Sequence, residues 1–282
     1  MTGLGVDGDA MRLDRVEIKV SLEGGQTRSA VRALDLPEGP KWQIYFCEDV
    51  TSGTSPGTPL LDLGVILRAR QKPDGKDDTT VKLRPCRRSQ LSDAWLAARS
   101  GEDDAGEDWD VKLEADWSGD RRVLAVSCSA DRPEGVVAAA GRGDGGVGEL
   151  FQAKQVAFLQ DCAGVRVNLA TLTVLPPVTA TRWKEVEAAP PGLDARAERW
   201  TVDDLDFLEL SVVADLGDAP TRQVALTRFV GDLGLEVDEA GASKTQQVLR
   251  RLVERVAPPS EEVPMTPERI GNRRSGRSVR GV

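Results

Sequence analysis

Alternation with a period of two dominates the chain. From Leu13 to Leu22 the apolar Val16, Ile18, Val20 and Leu22 interleave with Arg15, Glu17, Lys19 and Ser21, which predicts a strand with one buried and one polar face. Further strand signals fall at 42–47, at 60–70 and 79–85 on either side of the turn KPDGKDD, and at 108–117 and 121–130 around SGD. The last ones lie at 172–186, 197–202 and 206–215. Helical spacing appears at 89–100, 149–162, near 220–233, and over 243–256, where Ser243 suits an N-cap and Val248, Leu249, Leu252 and Val256 share one side. The Thr/Ser/Gly/Pro run at 51–59 predicts a loop. GEDDAGED, at the end of an acidic insertion over about 86–108, predicts a second, and a Gly-rich stretch over about 131–148 a third. Successive hairpins with few helices between them favour antiparallel pairing over a βαβ sheet. The expectation is an α+β fold: one domain over 11–256, an antiparallel β-barrel with a few flanking helices.

The polar faces carry the chemistry. Side chains two apart point the same way, so Glu17 and Lys19 share a face, as do Arg68 and Arg70, Lys82 and Arg84, Lys112 with Glu114 and Asp116, and Arg182 with Lys184. Of the nine lysines, Lys19, Lys82, Lys112, Lys184 and Lys244 fall on these strands or at the start of the last helix. Any one such stripe reads most simply as the solvent face of a sheet. Five strands repeating the device predict a converging wall, with nine cations facing Glu17, Glu114, Asp116 and Glu209. Converged like charges call for an anionic ligand with many acceptor oxygens, such as a polyphosphate with its metal. Lys244, just inside a helix N-terminus, would add helix amides to the same anion.

Composition narrows the options. The 282 residues carry a net charge of −9, which argues against nonspecific nucleic-acid or membrane-surface binding by the body of the protein. There is no histidine, and Cys47, Cys86, Cys128 and Cys162 form no CxxC pair. Cys/His zinc sites, Ser-His-Asp or Cys-His nucleophiles and histidine acid–base catalysis are thereby excluded, and any metal must be hard and oxygen-bound, Mg²⁺ or Mn²⁺. The first fifteen residues hold acids where a secretory signal is basic, and no apolar run reaches membrane-span length, so a cytoplasmic location is expected. Residues 257–282, with Arg269, Arg273, Arg274, Arg277 and Arg280 among Gly, Ser and Asn, read as a disordered, solvated tail. Gly141 to Gly146 fit GxGxxG but lie a dozen residues past their strand, outside the strand–turn–helix setting that phosphate binding needs. Trp42, Trp183 and Trp200 read as packing residues.

Set in order, these residues resemble the CYTH, or triphosphate tunnel, family. Arg15-Val-Glu17-Ile-Lys19 is similar to the family's E-x-E-x-K with its first glutamate replaced. IYFCEDV followed by LLDLGVILRAR resembles the tyrosine-and-acid strand and the L-R-x-R strand, placing Arg68 and Arg70 on phosphate-binding arginines. TVKLRP gives Lys82 or Arg84 the next cationic role. Lys112-x-Glu114-x-Asp116 resembles the basic-x-acid-x-acid strand, TRWK at 181–184 the later arginine strand, FLELS at 207–211 the terminal E-x-E strand, and Lys244 the lysine near the last helix. The series is collinear over roughly 13–256.

The resemblance implies a tunnel that binds a triphosphate-bearing small molecule. Arg68, Arg70, Lys82, Arg84, Lys112, Arg182, Lys184 and Lys244 would hold phosphates. Glu17, Glu114 and Glu209 would hold Mg²⁺ or Mn²⁺, with Glu17 and Lys19 catalytic in hydrolysis. Arg15 and Ser211 stand where the family pairs glutamates, which motivates a second reading, a polyphosphate- or nucleotide-binding module with weak catalysis. A cyclase-like activity ranks third. No specific nucleic acid or membrane is expected as a partner.

Overall fold

In the computed structural model, which describes residues 12–51, 57–73, 75–103, 106–235 and 243–256, the alternating segments become strands of one closed barrel. The first strand, β1 (Arg15–Glu23), buries Val16, Ile18, Val20 and Leu22 and turns Glu17, Lys19 and Ser21 the other way. At Gly24, whose φ of 54° suits glycine, the chain enters α1 (Gly25–Ala33). Sequence pattern did not foresee this helix, because Ala30 is its one buried aliphatic residue. Tertiary contact fixes it instead: the Thr27 hydroxyl lies 3.0 Å from the Leu22 carbonyl and 2.9 Å from that of Asp206.

The chain continues through β2 (Lys41–Glu48), the short α2 (Pro59–Asp62), β3 (Val65–Gln71) and β4 (Asp77–Leu83). Next come α3 (Asp93–Ala97), β5 (Ser100–Glu102), β6 (Asp108–Ser118) and β7 (Arg121–Arg132). The acidic stretch expected to be a flexible loop therefore begins as a strand: β5 pairs with the start of β6. The Gly-rich stretch likewise holds two short helices, α4 (Val136–Gly141) and α5 (Val147–Leu150), followed by α6 (Ala153–Cys162). Gly141 ends α4 against Tyr45, where a Cβ would fall 2.4 Å from the ring, so this glycine serves close packing. After β8 (Thr173–Val174) come β9 (Val178–Trp183), β10 (Arg196–Val202), β11 (Leu205–Ala214), α7 (Ala219–Asp232) and α8 (Lys244–Val256). Ser243 and Gln246 form a reciprocal cap at the start of α8: the Gln246 amide donates to the Ser243 hydroxyl at 3.3 Å, and the Ser243 amide to Gln246 Oε1 at 3.0 Å. The Arg-rich segment 257–282 lies outside the described residues.

Around the barrel the order is β1-β11-β10-β9-β2-β3-β4-β7-β6, nine strands that close when β6 meets β1 again. Closure leaves no exposed edge along the ring. The hairpin pairings are antiparallel as expected, but the closing seam between β1 and β6 is parallel. Nine strands cannot alternate direction all the way round a closed ring, so one neighbouring pair, here β1 and β6, must run the same way.

The apolar faces point outward and the helices cover them. On one flank α4, α5 and α6 pack on Tyr45, Leu67, Val81, Leu113 and Val126; on the other, α1 and α7 pack on β1, β10 and β11. Buried side chains such as Phe158, Leu159, Leu226 and Val230 each contribute about 1.5–3 kcal/mol there. With both core layers outside the ring, the polar faces are left lining its interior. One stretch of that interior is apolar: Ile44, Phe46, Ile66, Trp200 and Phe207 meet Val248, Leu249, Leu252 and Val253 of α8, which stoppers the barrel there.

Candidate functional site

The barrel interior holds a cavity of about 270 Å³. Nine cations line it, Arg15, Lys19, Arg68, Arg70, Lys82, Arg84, Lys112, Arg182 and Lys244, together with Glu17, Glu114, Glu198 and Glu209. Asp116 adds a fifth carboxylate, 3.3 Å from Lys82 and 3.2 Å from Arg84. The convergence expected from the sequence is thus present, with one exchange. Lys184 lies one residue past the end of β9, exposed and off the cavity wall, and Arg15 takes its place in the count.

Three groups of side chains divide the wall. The first is basic and set by β3, β9 and β10. Arg68 and Arg70 stand opposite Thr80 and Asp78 of β4, and Arg182 stands opposite Glu198. Arg70 is satisfied by Asp78 at 2.7 Å, and Arg182, whose side chain is 40% exposed, reaches Glu198 at 3.4 Å. Both guanidiniums also sit over the Trp42 ring, at 5.6 and 4.8 Å from its centroid. Arg68 has only a long contact to the Thr80 hydroxyl at 3.4 Å, and its buried Nε has no acceptor among the described residues. Burial, and then the neighbouring charge of Arg70, pushes the Arg68 guanidinium down to about 10.

The second group sits at the parallel seam, whose register puts Arg15 beside Glu114 and Glu17 beside Asp116. Oxygens of Glu17, Glu114 and Asp116 come within 4.8 Å of one another. Cations surround them: Lys19 lies 2.8 Å from Glu17 and 3.8 Å from Asp116, and Arg15 is paired with Glu114. Burial alone would lower the Lys19 ammonium, yet Glu17 and Asp116 overcome it and hold this lysine well above its ordinary range. The same contacts, with Lys82 and Arg84, hold Asp116 well below the usual carboxylate range against the opposing effect of burial. Lys82 is shifted down, by burial first, although Asp116 pulls the other way.

The third group is built by α8. The pairing of β10 with β11 sets Glu198 directly opposite Glu209, a like-charge pair that is unfavourable by itself. Lys244 resolves it from the helix start, 3.3 Å from Glu198 and 3.5 Å from Glu209, with its ammonium 4.1 Å from the Trp200 ring centroid. Burial would raise Glu198, but Lys244 first, then Arg182, Arg68 and Arg70, hold it at about 2.

This arrangement changes the expected metal set. Glu209 belongs to the Lys244 group, and Asp116 replaces it beside Glu17 and Glu114. The three carboxylates suit a hard, oxygen-bound divalent cation, and Asp116 Oδ1 is a buried oxygen without a hydrogen-bond donor among the described residues. Glu198 was missed in the sequence, although its alternation with Trp200 on the strand facing Arg182 marks it as a wall residue. No helix of the described residues is long and apolar enough to cross a membrane.

No family model matches the chain, and no curated protein does. Solved structures do. A protein from Bacillus halodurans, provisionally named an adenylate cyclase, superposes with a TM-score of 0.50 at 10% identity, over 83% of this chain and 96% of that one. A protein from Hippeastrum, provisionally named an adenylyl cyclase and described as having a dominant triphosphatase activity, gives 0.47 at 15% identity, over 87% and 98%. The Bacillus match shows a shared fold, the closed barrel that the strand pattern predicted.

Proposed function

We propose that the barrel interior binds a triphosphate-bearing small molecule and hydrolyses it with Mg²⁺ or Mn²⁺. The observation that carries this reading is Arg68, a buried guanidinium under the like charges of Arg70 and Arg182, whose Nε–H lacks an acceptor among the described residues. A phosphate oxygen is an acceptor of the right charge for it, and Arg70, Lys82, Arg84, Lys112, Arg182 and Lys244 line the same cavity. Lys19, kept fully protonated by Glu17 and Asp116, would neutralise charge developing on the phosphoryl oxygens. Glu17, Glu114 and Asp116 would hold the divalent cation, which supplies Lewis-acid charge and orientation of the attacking water. Phosphoryl transfer depends mainly on positioning and charge stabilisation, so a wall without histidine is adequate.

One observation favours a binding module with weak catalysis: Arg15 already occupies Glu114. The test is phosphate release from tripolyphosphate, ATP and thiamine triphosphate with Mg²⁺ or Mn²⁺. Release that is lost in Lys19→Ala and Glu17→Ala supports hydrolysis at this site. Tight binding without release of phosphate from any of the three supports the module.

A further inference from the structure

The carboxylate trio at the seam is unusual in its charge balance. Glu17 has Lys19 at 2.8 Å, Glu114 has Arg15, and Asp116 has Lys82 at 3.3 Å and Arg84 at 3.2 Å. Lys82 also reaches Glu114 at 3.9 Å. Four cations therefore face three carboxylates, and the cluster is net positive before any metal arrives. A divalent cation entering alone meets that repulsion, and each carboxylate it captures leaves a partly buried ammonium or guanidinium without its partner. A triphosphate reverses the balance, because its oxygens can take over Lys19, Lys82 and Arg84 and release the carboxylates to a metal.

Arg15 is the residue that tips the count. The seam register fixes it opposite Glu114, its Nε and Nη2 both engage Glu114 Oε1, and it lines the cavity with its side chain 37% exposed. We infer that this protein binds its triphosphate without a resident divalent cation. Arg15 supplies fixed positive charge at the seam, and Mg²⁺ or Mn²⁺ enters only together with the bound triphosphate. This inference rests on the triphosphate reading of the cavity and specifies the ionic form of the ligand that the cavity accepts.

Calorimetric titration of the unmodified full chain tests it. Titrated with MnCl₂ in phosphate-free buffer, the protein shows no saturable binding, and tripolyphosphate binds with an affinity in EDTA within about three-fold of that in Mg²⁺. In Arg15→Gln the metal-free affinity falls about ten-fold, as expected for a lost charge-assisted contact. Saturable micromolar Mn²⁺ binding without phosphate overturns the inference. So does tripolyphosphate binding that disappears in EDTA and returns with Mg²⁺, an outcome that leaves the triphosphate reading intact. Unchanged metal-free affinity in Arg15→Gln removes Arg15 from the account. No binding in either condition removes the triphosphate reading and this inference together.

Discussion

Replacing Arg68 with methionine should stabilise the free protein while weakening its hold on a triphosphate. The guanidinium is buried and feels the like charges of Arg70 and Arg182, and its one side-chain hydrogen bond among the described residues is the 3.4 Å contact to Thr80. A pKa pushed down to about 10 corresponds to about 3 kcal/mol of unfavourable charge. Solvent in the cavity screens part of this, leaving roughly 1–2 kcal/mol. Methionine keeps the aliphatic stem and removes the charge, so the free variant should melt about 2–4 °C higher. Tripolyphosphate at a hundred times its Kd should stabilise the unmodified protein by about 2.7 kcal/mol. With affinity reduced about ten-fold or more, the variant should show at most about half of that rise at the same concentration. Differential scanning calorimetry with and without tripolyphosphate reads both quantities. A free variant that melts lower and keeps the full ligand-induced rise would refute the claim that Arg68 is an under-compensated cation awaiting an anion.

Three other outcomes follow from particular contacts. Glu198 has a folded pKa near 2, below its unfolded value, so from there up to the ordinary carboxylate range the unfolded chain binds the extra proton. Stability present at neutral pH is therefore lost as pH falls through that window, and urea midpoints of Glu198→Gln should show a shallower acid decline. Gly141→Ala should cost about 1–3 kcal/mol, read from the urea midpoint, because its Cβ meets the Tyr45 ring at 2.4 Å. Lys184→Ala should leave tripolyphosphate affinity within about two-fold by calorimetry, since this lysine stands exposed beyond β9.

Much of this site was legible because strands keep side-chain direction in register with sequence. Glu17 with Lys19, Arg68 with Arg70, and Lys82 with Arg84 were assigned to common faces by alternation alone, and each pair lines the same cavity. What could not be read was where faces from distant strands meet. The parallel seam between β1 and β6 has no local signature, yet it alone places Arg15 beside Glu114 and Glu17 beside Asp116. Glu209, expected in the metal set, pairs with Lys244, which a distant helix brings to the β10–β11 hairpin where Glu198 stands opposite it, and no local pattern announces that helix contact. Short elements failed for a different reason. The strand β5 and the helices α1, α4 and α5 are too brief or too polar to carry a period, and are held by contacts such as Thr27 on the Leu22 carbonyl.

The central claim is that the charged interior of the barrel is a triphosphate site. A crystal structure grown with tripolyphosphate tests it most directly. The account predicts one tripolyphosphate inside the barrel, with Arg68 Nε donating to a phosphate oxygen and Arg70, Lys82 and Arg182 on the same chain of phosphates. Tripolyphosphate bound only on the outer surface, with Arg68 still lacking an acceptor, would contradict it.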